Sequence, residues 1–249
     1  MKKLNPKIIN QSIRTAENAS YFEKLNKIYS TIPQGKCGGC TKCCMESVHT
    51  HFIEFLNIFH YMQENRRLYE MLLPKIIRYY FLELVTKEHC PFLNEEGMCV
   101  IYRYRPLVCR LFGHWTQEEY EENYKNVLNE NLQNVKLFKN KYKILLPEEV
   151  VNYKILYCED FEVHKKMVKT QRQTMVDNIF TMESAFFMRG LITEEFLDTG
   201  LMSWFVYTVF DREEAGEKRV AVIREYLEEG YSPTLDELLQ KVQRFIDSR

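Results

Sequence analysis

The sequence predicts a mostly α-helical protein with an irregular, cysteine-rich metal-binding region in its N-terminal half. Apolar residues recur at helical spacing along most of the chain. Seven of the eight cysteines crowd between Cys37 and Cys109. Glycine and proline stand beside those cysteines, which therefore lie on loops rather than inside regular elements.

From Asn5, which can cap, and Pro6, which suits a first helical position, Ile8, Ile9, Ile13, Ala16, Phe22, Leu25 and Ile28 predict one helix ending before Pro33 and Gly35. The first cysteine burst follows as Cys37-Gly38-Gly39-Cys40-Thr41-Lys42-Cys43-Cys44, where two adjacent glycines exclude a helix and predict a tight loop. A short extended piece around Val48 leads into a buried helix over Phe52–Met62. A second helical run covers Asn65–Lys87, with Met71, Leu72, Ile76, Ile77, Tyr80 and Phe81 inward, and Pro74 either kinks or divides it. As an antiparallel pair these helices would bring their two ends, and so the two cysteine bursts, together.

The second burst holds Cys90, Cys99 and Cys109. Asn94-Glu95-Glu96-Gly97 reads as a turn, so a hairpin-like loop should bring Cys90 and Cys99 together. Pro106 then opens a helix whose first turn carries Cys109, where a helix dipole would favour a thiolate. Thr116 to Glu119 matches a capping box and starts a polar helix to about Leu132, followed by a less regular, lysine-rich stretch to Pro147. Cys158 stands apart. Helices are expected over Phe161–Met188, Glu194–Phe210, Arg212–Glu229 and Thr234–Ile246, with Gly190 and Gly230 as stops. The aromatic stripe Trp204, Phe205, Tyr207 and Phe210 reads as core. This divides the chain into a helical, cysteine-rich metal-binding region over residues 1–115 and a helical region over 116–249, or one continuous domain spanning both.

Composition narrows the function. A chain of 249 residues builds a sufficient core without staples, so a disulfide framework of the kind found in small secreted domains is not needed. The N-terminal stretch has early charge but no apolar run, which predicts no secretory signal and a cytoplasmic chain with reduced thiols. The longest apolar run, Leu201–Phe210, is too short for a membrane span. With 34 basic against 35 acidic residues, no overall field draws in nucleic acid or an anionic membrane. The basic groups at Arg66, Arg67, Lys75 and Arg78, and at Lys165, Lys166, Lys169 and Arg172, read as solvated helix faces. A protein partner or an electron donor remains open as a partner.

Crowded thiolates on flexible loops suit soft metals. Cys37, Cys40, Cys43, Cys44, Cys90, Cys99, Cys109 and Cys158 are the candidate ligands, Cys158 being equally readable as a small buried hydrophobe. Four of them could hold zinc tetrahedrally, or several could hold an iron-sulfur cluster whose negative charge Lys42, Arg105 and Arg110 would offset. Neighbouring Cys43 and Cys44 do not suit one four-coordinate ion, which favours a larger shared cluster or two centres. A bacterial ferredoxin loop and a radical S-adenosylmethionine triplet would both need cysteine at position 47, where the chain has Ser47. His89 and His114 are alternative ligands, with ordinary polar packing as their other reading. No glycine-rich dinucleotide fingerprint follows a strand, and no acid-base or nucleophilic constellation can be argued from spacing.

The pattern resembles the CxxCxxCC (YkgJ-like) cysteine-cluster family, described as zinc- or iron-chelating. The residues that carry the likeness are Cys37, Cys40, Cys43 and Cys44, then Cys90-Pro91-Phe92-Leu93, Cys99-Val100-Ile101-Tyr102 and Arg105-Pro106-Leu107-Val108-Cys109-Arg110-Leu111-Phe112. The resemblance covers about residues 36 to 114 and implies a metal centre. A flagellin lysine methylase looks like a relative with an iron-sulfur cluster, which favours such a cluster, of [4Fe-4S] type, over zinc. Methyl-transfer activity does not carry over. Three functional readings follow: an iron-sulfur protein with redox or cluster-dependent chemistry, a zinc-binding structural or interaction module, and an enzyme modifying a protein side chain on family analogy alone.

Overall fold

A computed structural model describes residues 3–196 and 199–248. Outside it lie the first two residues of the stretch searched for a signal, and positions 197 and 198 of the helix expected over Glu194–Phe210. Eleven α-helices and one two-stranded antiparallel sheet make up the regular structure among the described residues. None of these helices is long and apolar enough to cross a membrane.

The N-terminal helical run is two helices, α1 (Pro6–Asn18) and α2 (Tyr21–Ser30). Asn5 caps α1, its side chain accepting the Ile8 N–H at 3.0 Å. The break falls at Ser20, held in the left-handed region at φ 52°. Helical spacing continues across that turn, so the apolar pattern gave no sign of it. Strand β1 (Gly35–Lys36) comes next, then the first cysteine loop, with Gly39 and Thr41 both at positive φ.

Helices α3 (Phe52–Glu64) and α4 (Arg66–Leu82) form the expected pair, and α4 runs through Pro74 undivided. Met71, expected inward, is 48% exposed. Both helices pack on α9 (Leu201–Val209), the apolar stripe that forms the centre of the core. Trp204 lies 5.0 Å from the ring of Phe52 and 5.6 Å from that of Phe55, and Phe205 is fully buried beside Phe55 and Phe59. Each such ring removes a large apolar area from water, contributing about 2–3 kcal/mol.

Helix α5 (Leu107–Leu111) and a 3-10 turn over Phe112–His114 precede α6 (Gln117–Leu137), which runs past the expected end at Leu132 into a π-helical turn at Phe138–Tyr142. The Thr116 capping box is formed, with Thr116 N–H to Glu119 at 2.9 Å and Glu119 N–H to the Thr116 hydroxyl at 3.2 Å. A short α7 (Glu148–Val151) follows. The helix expected from Phe161 begins only at Lys169. Residues Glu162–Val163 form strand β2, which pairs antiparallel with β1 through Gly35 with Val163 and Lys36 with Glu162. Beyond α8 (Lys169–Met188), a 3-10 turn at Glu194–Phe196 and α9 replace the continuous helix expected there, and α10 (Arg212–Glu229) and α11 (Pro233–Asp247) close the chain. Gly190 and Gly230 adopt the left-handed stop conformation.

Arg172 is not on a solvated face. It is buried, donating to the carbonyls of His114 and Met167 and to the Glu119 carboxylate, and so latches the start of α6 to the start of α8. Burial pushes the Glu119 carboxyl up, but the Thr116 N–H and the Arg172 guanidinium outweigh it and hold the group below its ordinary 4.5. A carboxylate held down by folding contributes stability above its unfolded value, and that contribution disappears as pH falls through the folded one. The stability gap between wild type and Glu119→Gln, read by denaturant unfolding, should therefore be widest near neutrality and narrow below about pH 4.5. A gap independent of pH would remove Glu119 from the latch.

Candidate metal centre

All eight cysteines are free. Cys37 and Cys40 are exposed on the loop after β1, and Cys43, Cys44, Cys90, Cys99 and Cys158 are half-buried. The Cys90 N–H donates to the Cys44 carbonyl at 2.7 Å, which joins the two bursts across the α3–α4 pair. Gly97 approaches Thr41 from the opposite loop: a Cβ there would stand 3.3 Å from the Thr41 methyl.

The expected hairpin is present. Val100 N–H bonds the Phe92 carbonyl at 2.9 Å, Asn94 N–H bonds the Met98 carbonyl at 2.9 Å, and Leu93 bridges Cys99. Phe92 anchors it in the core, its ring 5.9 Å from Phe205. Helix α5 is held from below by Glu54, a buried carboxylate on α3. One of its oxygens accepts the Leu107 N–H and the Tyr29 hydroxyl, each at 2.6 Å, and the other accepts the His51 N–H at 3.2 Å. Glu54 therefore sets where Cys109 stands.

Cys158 reaches the first burst through the β1–β2 ladder. Phe161, just before β2, seats its ring where a Cβ at Gly35 or at Gly113 would collide with it, so two glycines from opposite segments make room for one ring. His114 packs edge-on against that ring at 5.0 Å. Sequence spacing carries no sign of this clamp, because it joins residues remote along the chain.

The thiols sense one another. Burial raises Cys90 to about 12, the Phe92 N–H moderating the rise and Cys99 and Cys43 adding to it. Burial raises Cys99 against the Ile101 N–H and Arg105. Burial also raises Cys109, helped by Cys90, Cys99 and Cys43 and opposed by Arg105. The helix dipole expected to favour a Cys109 thiolate is outweighed, since α5 has only five residues. Cys109 has surface open to solvent, yet burial by the surrounding protein is the largest cause of its shift. A hydrogen bond with Cys44, then burial, raises Cys43. Burial and the charges of Cys43, Cys37 and Cys40 raise Cys158. Among the described residues no three His, Cys, Asp or Glu side chains stand where they could hold one metal ion between them. Protonated thiols have no mutual attraction to draw them closer.

The three expected cations behave differently. Arg105 lowers the thiols of Cys43, Cys99 and Cys109 by its charge, stacks 4.0 Å over Tyr102, and keeps its buried Nε without a hydrogen-bond partner. Arg110 stacks 3.9 Å over Tyr29 and donates to the carbonyls of Arg103 and Arg105. Lys42 stands 4.0 Å from Asp160 on the exposed rim. His114 is buried, its Nδ1 accepting the Met167 N–H at 3.3 Å, and burial lowers its pKa. Its Nε2 is buried without a hydrogen-bond partner. His89 lines a cavity with Lys75, Arg78 and Cys90.

A sulfur-only donor set beside an unpartnered guanidinium N–H is the chemistry of a soft-metal centre. Residues 36–127 match the model of the CxxCxxCC family. That family is described as a "Putative zinc- or iron-chelating domain", so metal binding through the cysteines has support from both comparison and donor chemistry. No curated protein and no solved structure matches the chain. The CxxCxxCC segment excludes Cys158, Phe161 and Arg172. Tyr29 and Glu54 escaped sequence reasoning too. A glutamate inside the apolar run Phe52–Met62 was the available signal for Glu54, since a buried carboxylate needs donors.

Replacing Glu54 by alanine strands the Leu107 N–H and the Tyr29 hydroxyl, at about 1–3 kcal/mol for each buried group left unpaired. Thermal unfolding should fall accordingly and Cys109 should alkylate faster, as read by peptide mass spectrometry. Glu54→Gln, which keeps an acceptor, should fall less. Unchanged Cys109 labelling in Glu54→Ala would separate Glu54 from the site.

Proposed function

We propose that this chain is an iron-sulfur protein whose cysteine thiolates hold a [4Fe-4S]-type centre serving as a redox site for an electron donor or a protein partner. The observation that carries the reading is Arg105, whose buried Nε has no hydrogen-bond partner and whose charge lowers the thiols of Cys43, Cys99 and Cys109 against their burial. A cluster carries net negative charge, and a guanidinium N–H donates to its sulfurs while offsetting that charge. Peptide N–H groups act likewise: that of Phe92 lowers the Cys90 thiol and that of Ile101 the Cys99 thiol. Lys42 and Arg110 contribute at longer range.

Burial, the largest cause of the raised pKa of Cys90, Cys99 and Cys109, keeps those thiols protonated near neutrality, so a metal must displace protons to bind them, and its binding energy then adds to folding energy. Such a centre persists in a reducing compartment, and the cytoplasm is the location this reading implies. On the same reading residues 1–115 and 116–249 act as one continuous domain, because Cys158 and β2 come from the second region. Zinc is the second reading, favoured by a family description that covers both metals.

Protein purified without oxygen should be brown, with broad visible absorption and iron and acid-labile sulfide in comparable amounts. Cys99→Ser should lose much of that colour and lower the melting temperature. Colourless protein carrying zinc and no sulfide would overturn the iron-sulfur reading.

A further inference from the structure

The thiols divide into two groups that meet at Cys43 and Cys44. Cys90, Cys99 and Cys109 belong to the hairpin and α5, and they are tied to Cys44 by its carbonyl's bond to the Cys90 N–H at 2.7 Å. Cys37 and Cys40 lie on the loop after β1, and the β1–β2 ladder delivers Cys158 to them. That loop meets the Cys158 segment backbone to backbone: a Cβ on Gly38 would stand 3.6 Å from the Asp160 Cβ and 3.8 Å from its carbonyl oxygen. Cys40, Cys43 and Cys158 line one cavity of about 330 Å³, to which Cys90, Cys99 and Cys109 contribute nothing.

Cys158 is also presented as the hairpin thiols are. The backbone N–H two residues on, that of Asp160, holds its thiol lower than burial alone would, as the Phe92 N–H does for Cys90 and the Ile101 N–H for Cys99. A backbone N–H so placed sets a dipole against the charge a thiolate carries. A merely buried hydrophobe gains nothing from it.

We propose that the chain holds two four-thiolate centres, one built on Cys90, Cys99 and Cys109 and the other on Cys37, Cys40 and Cys158, with Cys43 and Cys44 at the seam supplying one ligand to each. The second is completed from outside the CxxCxxCC segment, and the Phe161 ring between Gly35 and Gly113 keeps its last ligand in place. This rests on the reading of the cysteines as metal ligands, whichever of iron or zinc is bound.

The test is metal per chain, iron and zinc both, measured by mass spectrometry on oxygen-free wild type, Cys109→Ser, Cys158→Ser and the double variant, with circular dichroism to confirm folding. Each single substitution should remove about half of the metal and the double nearly all of it. Cys37→Ser, at an exposed position the fold tolerates, should repeat the Cys158→Ser result should that variant not fold. Wild-type metal in Cys158→Ser, or loss of all metal from either single variant, would overturn the two-centre arrangement while leaving the ligand reading standing. Undiminished metal in every variant would overturn both.

Discussion

A backbone hydrogen bond of 2.7 Å, from the Cys90 N–H to the Cys44 carbonyl, closes the long loop that contains α3 and α4. One such bond contributes only about 1 kcal/mol net, far less than the entropy of closing the loop. The offset comes from apolar burial along both helices, and above all from their packing on α9 through Phe52, Phe55, Phe59, Trp204 and Phe205. The thiol loops are too irregular to pair among themselves at length. Their proximity is inherited from a helical core that brings their ends together.

Electrostatics sets the opposing constraint. Thiols enclosed by protein resist ionisation, and neighbouring thiolates resist it further, so the gathered cysteines carry their protons near neutrality. When they do lose those protons, the charge on sulfur is offset by fixed groups. Arg105 supplies counter-charge to the thiols, whereas Arg110, five residues on, is committed to Tyr29 and to two backbone carbonyls. The two arginines stand together in the sequence motif and do separate work: one offsets charge on sulfur, and the other braces the turn that carries Cys109.

Local signals were legible in the sequence where one segment determines its own structure. Asn5 and Pro6 announced α1, Thr116 and Glu119 announced α6, and the turn at Asn94–Gly97 announced the hairpin beside Cys90 and Cys99. What was illegible depends on partners far along the chain. Glu162–Val163 is too short to read as a strand until Gly35–Lys36 lies beside it. Arg172 looked like one more surface cation, because only the fold brings Glu119 and two free carbonyls around its guanidinium. Ser20 breaks a helix whose apolar spacing carries on as though unbroken.

The same dependence on remote partners shows why the CxxCxxCC segment is not self-sufficient here. Its path from Cys44 into α3 is fixed by the C-terminal half: Leu201 N–H to the Val48 carbonyl at 2.8 Å, Thr50 N–H to the Thr199 carbonyl at 3.2 Å, and Trp204 Nε1–H to the Thr50 carbonyl at 2.7 Å. These are backbone groups of a loop that would otherwise be solvated, and α9 satisfies them while burying its aromatic face against α3. Phe161 performs the corresponding task on the other side, filling the space that Gly35 and Gly113 leave open. The cysteine loops thus occupy a seam between two halves of one core. Loosening the C-terminal helices would displace the thiols without touching a single cysteine.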